Sequence, residues 1–227
     1  MAQDKYVGLD VGGTKICGVL ISKDGSILKD LSIPTNMDLG VEHVKQKLLA
    51  LVESLVSQGQ ISFSEVAGLG IGFAGQVDTD AGLVISAPNL HGWRNVPVSE
   101  FLLDQFPIPK VVLANDVRAA TWGEYCARDK KVKDLVCVLI GTGIGGGLII
   151  GGYLVQGKSN TAGEVGHIIY KPGGRICRCG KKGCFEAYGG GFAIADRAKH
   201  SMAHSSNIRG ILKKINHPED EEICATV

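Results

Sequence analysis

One histidine and three cysteines in "GHIIYKPGGRICRCGKKGC" carry the most specific chemistry in this chain. His167 is followed by nine residues, then Cys177-x-Cys179, four more residues and Cys184. One imidazole and three thiolates at this spacing fit a tetrahedral zinc ion, and four protein ligands close its shell, so the expected role is structural. Arg175, Arg178, Lys181 and Lys182 lie among these ligands and would offset part of the thiolate charge. The plainer alternative is a reduced cysteine cluster without metal. Of the seven cysteines, Cys17, Cys126, Cys137 and Cys224 lie apart in unrelated segments and read as buried thiols. In a chain that opens without an export signal, the clustering of the other three favours a metal over a disulfide framework.

Two glycine turns and one aspartate make the second constellation. "LDVGGTK" places Asp10 at a strand end, Gly12 and Gly13 in a turn, and Thr14 and Lys15 just beyond; "GTGIGGG", Gly141 to Gly147, is a second such turn. Glycines let backbone N–H groups approach an anion, and a nearby hydroxyl or carboxylate can orient a cation. Either turn alone reads as an ordinary connection between strands, and neither is a Walker loop or a dinucleotide fingerprint. Together they suit a nucleotide gripped by its phosphates from both sides of a cleft. Asp116 follows the apolar run "KVVLAN" and precedes "VRAATWGEYCARD", at a strand's carboxyl end and a helix's amino end. Open α/β sheets put ligands there, and an N-cap occupies the same place.

The elements that must position these residues follow from periodicity. "YVGLDVG", "KICGVLI" and "SILKDLSI", joined by "GGT" and Asp24-Gly25, predict a three-stranded meander. Val41, Val44, Leu48, Leu51, Leu55 and Val56 keep helical spacing up to Gly59. "VAGLGIGFAG", "GLVISAPN" and "KVVLAND" read as extended, "VSEFLLDQF" as a short helix opened by Pro97, and "FAIADRAKH" as another helix. The uncharged stretch from Leu135 to Gly157 is long enough for a membrane span, but its glycines cut it into two buried strands around a turn. A helical fragment within "NIRGILKKINHPEDEEICATV" closes the chain.

At 227 residues, 44% hydrophobic and 21% charged, the chain can build a sizeable core. A net charge of +1 offers no basic field for nucleic acid, which is not expected as a partner; neither is a membrane. The expected location is cytoplasmic.

Taken in order from Tyr6 to Lys199, these motifs resemble the ROK family of sugar kinases and repressors, in the actin-like ATPase superfamily with hexokinase. "LDVGGTK" matches the family's first phosphate motif and "GIGFAGQVD" its glycine-rich substrate-side turn; "APNLHGW" and "LANDVRAA" match its sugar-loop and catalytic-aspartate motifs. "GTGIGGG" matches the second phosphate motif, and "GEVGH" with "CRCGKKGCFE" the zinc motif. The resemblance implies a two-lobed α/β fold, actin-like or ribonuclease H-like, with a cleft between lobes 1–115 and 116–227. It implies Asp116 as the general base for a sugar hydroxyl. Asn115, Glu164, His167 and Glu186 would be sugar ligands, with the backbone around Gly75 completing the pocket. Asp10 would orient Mg²⁺ through water, while Thr14 and the amides of Gly12, Gly13, Thr142 and Gly143 would hold the phosphates of ATP. Lys15 is the weakest of these assignments, because its side chain can face solvent.

Glucose is the favoured sugar by this resemblance; N-acetylmannosamine, fructose, mannose and allose kinases share the same catalytic residues, and some relatives use polyphosphate as donor. Family members continue into further helices and a glycine-rich turn that holds adenine, so the second lobe is expected to be incomplete at "EEICATV". A fragment that binds sugar without phosphorylating it is the rival reading. Only five residues precede the first strand, so the DNA-binding domain of the repressors is not expected. A full-length relative would be a homodimer or homotetramer.

Overall fold

The computed structural model describes residues 4–87, 90, 92–128 and 130–199. Pro88, Asn89 and His91 of the "APNLHGW" loop, the helical fragment after Asn207, and Cys224 lie outside the described residues. Contacts divide the chain into two units: Met1–Lys131 with Gly157–Thr161, and Val132–Gln156 with Ala162–Val227.

The first unit is built on the expected meander. β1 (Lys5–Val11), β2 (Lys15–Ser22) and β3 (Ile27–Pro34) are successive antiparallel neighbours. β4 (Val66–Phe73) then returns parallel to β1. The three short strands β5 (Gln76–Asp78), β6 (Leu83–Ser86) and β7 (Arg94–Val96) form their own sheet, and β8 (Val111–Asn115) adds parallel to β4. The large sheet therefore runs β3-β2-β1-β4-β8. Its crossover helix α1 (Gly40–Gln58) buries Val44, Leu48, Leu51, Val52, Leu55 and Val56, the stripe that the sequence spacing predicts, against β2 and β3. β5 and β7 have no counterpart in the sequence expectations, because three residues are too few to show an alternation.

Register decides what reaches the sheet's end. Val11, Phe73 and Asn115 align across β1, β4 and β8, and one step earlier Asp10, Gly72 and Ala114 align on the opposite face. The first row feeds the core; the second is nearly without side chains. α3 (Asp116–Ala127) packs on that bare face against β4 and β8, after α2 (Val98–Gln105) has packed on β8. α3 thus falls in the same contact unit as the strands it covers, the unit that runs to Lys131.

The second unit contains β9 (Leu135–Ile140), β10 (Ile144–Ile150) and β11 (Tyr153–Leu154) in the order β11-β10-β9. Beyond them lie the cysteine-rich loop, α4 (Glu186–Gly189) and α5 (Gly191–Lys199). The two strands expected to be buried differ from each other. β10 is largely buried between its neighbours, whereas β9 is an edge strand with Val136, Val138, Leu139 and Ile140 exposed among the described residues. The scattered cysteines are not buried as expected either: Cys17 and Cys137 are half-buried and Cys126 is exposed, because Cys17 and Cys126 fall on the outward sides of β2 and α3, while Cys137 lies on the covered face of an edge strand. No helix among the described residues is long and apolar enough to cross a membrane.

Leu48 is fully buried at the centre of the α1 stripe. Leu48→Ala should lower unfolding free energy by about 3 kcal/mol, through lost burial plus the cavity left behind. Urea titration followed by circular dichroism checks this; an unchanged midpoint would show that α1 does not anchor the core.

Candidate active site

Because β1, β4 and β8 are mutually parallel, their carboxyl ends lie at one edge of the sheet, and the three segments leaving that edge carry the expected residues. From β1 comes the turn Gly12, Gly13, Thr14; from β4, Ala74 and Gly75; from β8, Asp116. The missing side chain of Gly72 makes room for α3: a Cβ there would stand 3.3 Å from the Cα of Asp116. Asp10 and Asp116 consequently share one side of the sheet, close enough to repel each other.

Asn115 is the hub of this edge. It caps α3 with its side-chain oxygen, accepting from the amides of Val117 at 3.1 Å and Arg118 at 3.2 Å. Its side-chain amide donates to the Gly75 carbonyl at 3.0 Å and to Oδ1 of Asp116 at 2.9 Å. Two donors and two acceptor sites are the whole capacity of a carboxamide, so Asn115 is saturated by the protein. The Asp116 carboxylate also accepts from the Val117 amide at 2.9 Å. Gly75 must be glycine for this approach, since a Cβ would fall 2.5 Å from the Ser86 carbonyl oxygen.

Burial raises the pKa of Asp116, against the pull of the Val117 amide, Asn115 and the Arg118 guanidinium. Asp10 borders solvent, but protein atoms crowd its carboxyl; that desolvation and repulsion from Asp116 raise its pKa, while Lys15 lowers it. A pair of carboxylates held in this state suits a cation beside one and a proton accepted by the other.

The first glycine turn is more committed than its sequence suggests. The Gly12 amide donates to the Lys15 carbonyl at 3.1 Å, closing the hairpin. The turn is then clamped from 23 residues away by Thr35, whose hydroxyl donates to the Gly12 carbonyl at 2.7 Å and whose amide donates to the Thr14 carbonyl at 3.0 Å. Thr35 is fully buried. Lys15 is exposed.

In the second unit, the amides of Gly191 and Phe192 at the start of α5 donate to the carbonyls of Gly141 and Thr142, each at 3.0 Å. Glu186 holds the other side of the same turn. Its Oε2 accepts from the Ile144 amide at 2.8 Å and takes the space that a Cβ on Gly143 would need. Its Oε1 accepts from the thiol of Cys177 at 3.6 Å, so one carboxylate joins the glycine turn to the cysteine cluster.

His167, Cys177, Cys179 and Cys184 converge as the spacing predicts, their ligand atoms all within 4.8 Å of one another. His167 ends a 3-10 turn, Val165–His167, whose amide at His167 donates to the Glu164 carbonyl. The Cys177 amide donates to the Lys181 carbonyl at 2.8 Å, and Cys184 pairs with Ile169 in an isolated bridge. Nδ1 of His167 is 3.7 Å from Sγ of Cys177, and Cys179 and Cys184 are 3.7 Å apart. Metal–sulfur bonds of about 2.3 Å in a tetrahedron have edges of about 3.8 Å, so the donor set fits a metal ion. Without one, burial pushes the Cys177 thiol up to about 12.

Thr35 and Arg118 were not legible as site residues. Thr35 follows an ordinary strand, and its only signal is a buried hydroxyl that needs a partner; Arg118 is signalled only by standing two residues after Asp116.

Comparison with known proteins extends these observations. The ROK family matches residues 6–225. A glucokinase of Streptomyces coelicolor is 37% identical over 194 residues, covering 85% of this chain and 58% of that protein. An N-acetylmannosamine kinase of Escherichia fergusonii is 32% identical over 215 residues, covering 95% and 71%. Among solved structures, a ROK family glucokinase from Streptomyces griseus in complex with glucose and AMPPNP superposes with a TM-score of 0.81 at 30% identity, covering 98% of this chain and 74% of that one. The mixed α/β architecture is the one such structures share, the actin-like ATPase fold. The chain spans 58% of the length of the Streptomyces coelicolor relative.

A carboxyl whose folded-state pKa is raised holds its proton more tightly folded than unfolded, so it opposes folding once pH exceeds its unfolded value of about 3.9. Asp116→Asn keeps an oxygen to accept from Asn115 and Val117 and removes the repulsion from Asp10. It should raise Tm at pH 7 by a few degrees, an advantage that fades as pH falls toward about 4. Thermal melts from pH 4 to 8 check this; a lower Tm for the variant at pH 7 would contradict the desolvated carboxylate.

Proposed function

The chain belongs to the ROK family, and from that premise we propose that it is the larger part of a sugar kinase that transfers the γ-phosphoryl group of ATP to a hexose hydroxyl. The observation that carries this reading is the pairing of Asp10 and Asp116 at the common carboxyl edge of β1, β4 and β8. Asp116 acts as the general base. Its raised pKa brings it toward the range in which a carboxylate can take a hydroxyl proton as the oxygen attacks phosphorus. Asn115 orients that carboxylate, and a sugar hydroxyl engages Asn115 only by replacing one of its present bonds. Mg²⁺, when bound with ATP, supplies charge neutralisation of the phosphates; Asp10 is the carboxylate that would orient it. The turns at Gly12–Thr14 and Thr142–Gly143 receive phosphates, with Thr35 and Glu186 keeping them in shape.

Glucose, giving glucose 6-phosphate, is the substrate we favour, because glucokinases are among the relatives at 37% and 35% identity. N-acetylmannosamine is the second reading, favoured by the relative matched over 95% of the chain. His167, Cys177, Cys179 and Cys184 hold a structural zinc; the last of these donors, Cys184, stands two residues before Glu186, so the loop that the ion closes leads directly into the acid that braces the second glycine turn.

ADP release coupled to a hexose panel tests the activity. Asp116→Ala should lower kcat about 10²–10⁴-fold with folding retained; wild-type turnover would remove Asp116 from the role of base. Elemental analysis should find one zinc per chain, and stripping it with a chelator should lower Tm and weaken nucleotide binding. Protein that carries no zinc at full stability would refute the metal assignment.

A further inference from the structure

Arg118 is an arginine in the first turn of α3 that is 2% exposed. Arginine is almost never buried this far unless its charge and donors are engaged. Its Nη2 donates to the carbonyl of Asn160, 42 residues away. Asn160 sits in Gly157–Thr161, a stretch after Lys131 that belongs to the first unit. The neighbouring carbonyl, that of Ser159, accepts from Nε2 of Gln76 at 3.4 Å. Two consecutive carbonyls are thus held by side chains from β5 and α3, the two places that Asn115 also joins: Gly75, next to Gln76, through its carbonyl, and Arg118 through its amide. The result is a closed circuit from the β4–β5 turn through Asn115 and Arg118 to the strap and back through Gln76.

We propose that Arg118 is a positioning residue for Asp116: it straps Gly157–Thr161 to α3 and supplies the positive charge that balances the Asp116 carboxylate. The charged groups bearing on Asp116 are Asp10 from β1, which repels it, and Arg118 from its own helix; Lys15 acts on Asp10. Arg118 stands in the same helical turn as Asp116, and its guanidinium opposes the effect of burial on that carboxyl. That this matters for phosphoryl transfer rests on the reading of Asp116 as the base; the strap and the charge balance do not.

Two variants of the full chain separate the parts. Arg118→Met removes both strap and charge, and Arg118→Gln removes the charge while keeping a donor for Asn160. The exposed Lys158, inside the strap, is a built-in reporter, since trypsin can cleave after it only when the segment opens. In Arg118→Met the fragment ending at Lys158 should appear on the order of tenfold faster than in wild type, by mass spectrometry. In Arg118→Gln cleavage should stay within about twofold of wild type. The Asp116 carboxyl resonance, assigned by its loss in Asp116→Asn, should titrate at a higher pH in both variants. Neither readout needs turnover, so an inactive chain with these shifts refutes the kinase reading and leaves the positioning role standing. If Arg118→Met fails to fold, Arg118→Gln decides the charge role, and Gln76→Ala, which removes the other side-chain bond to the strap, should likewise speed cleavage after Lys158, wild-type cleavage overturning the strap. An Asp116 titration at the wild-type pH in Arg118→Gln overturns the charge role, and wild-type cleavage at Lys158 in folded Arg118→Met overturns the strap.

Discussion

The hydrogen-bonding capacity of one carboxamide organises the first unit's active edge. Asn115 donates to the β4–β5 turn and to the neighbouring carboxylate, and accepts from the Val117 and Arg118 amides in the first turn of α3. An open helix terminus, a glycine turn and a desolvated acid each need a partner, and a single side chain serves all three. Every other feature of this edge is arranged around that constraint. Gly72 and Gly75 lack side chains where α3 and β6 come close, and the parallel register brings three strand ends to the same level.

The second unit has a comparable knot. Glu186 accepts from the Ile144 amide and from the Cys177 thiol, so the turn at Gly141–Gly143 and the cysteine cluster share one carboxylate. α5 holds the other flank of the turn with its first amides. The last residue of that cluster, Cys184, stands two positions before Glu186, so the fold of the cysteine-rich loop and the position of the acid that shapes the turn are set together.

Both units keep a glycine turn by bonds to its carbonyls: Thr35 on the first, Gly191 and Phe192 on the second. Clamping from the carbonyl side leaves the form of the loop independent of any anion. Such preorganisation is what phosphoryl transfer asks of a protein, since most of its catalysis is positioning and charge stabilisation. Asp10 and Asp116 complete the arrangement at an energetic cost, because two like charges are kept together in a partly dry setting.

The sequence by itself determined the elements with strong local signatures. The α1 stripe, the three-strand meander, the strand-to-helix junction at Asp116 and the His167–Cys184 donor set all rest on periodicity or spacing within a few tens of residues, and each stands in the structure. Only the tertiary structure decided the rest. It showed β9 to be an exposed edge and Cys126 to face outward, since apolar type does not say which neighbour covers a strand or helix. It gave Asn115 four protein partners and made Glu186 a brace, and it brought Thr35 to Gly12 and Arg118 to Asn160. Those partnerships join positions 23 and 42 residues apart, and no local pattern encodes them. They exist because buried polar groups must find partners wherever the packed chain happens to bring one within reach.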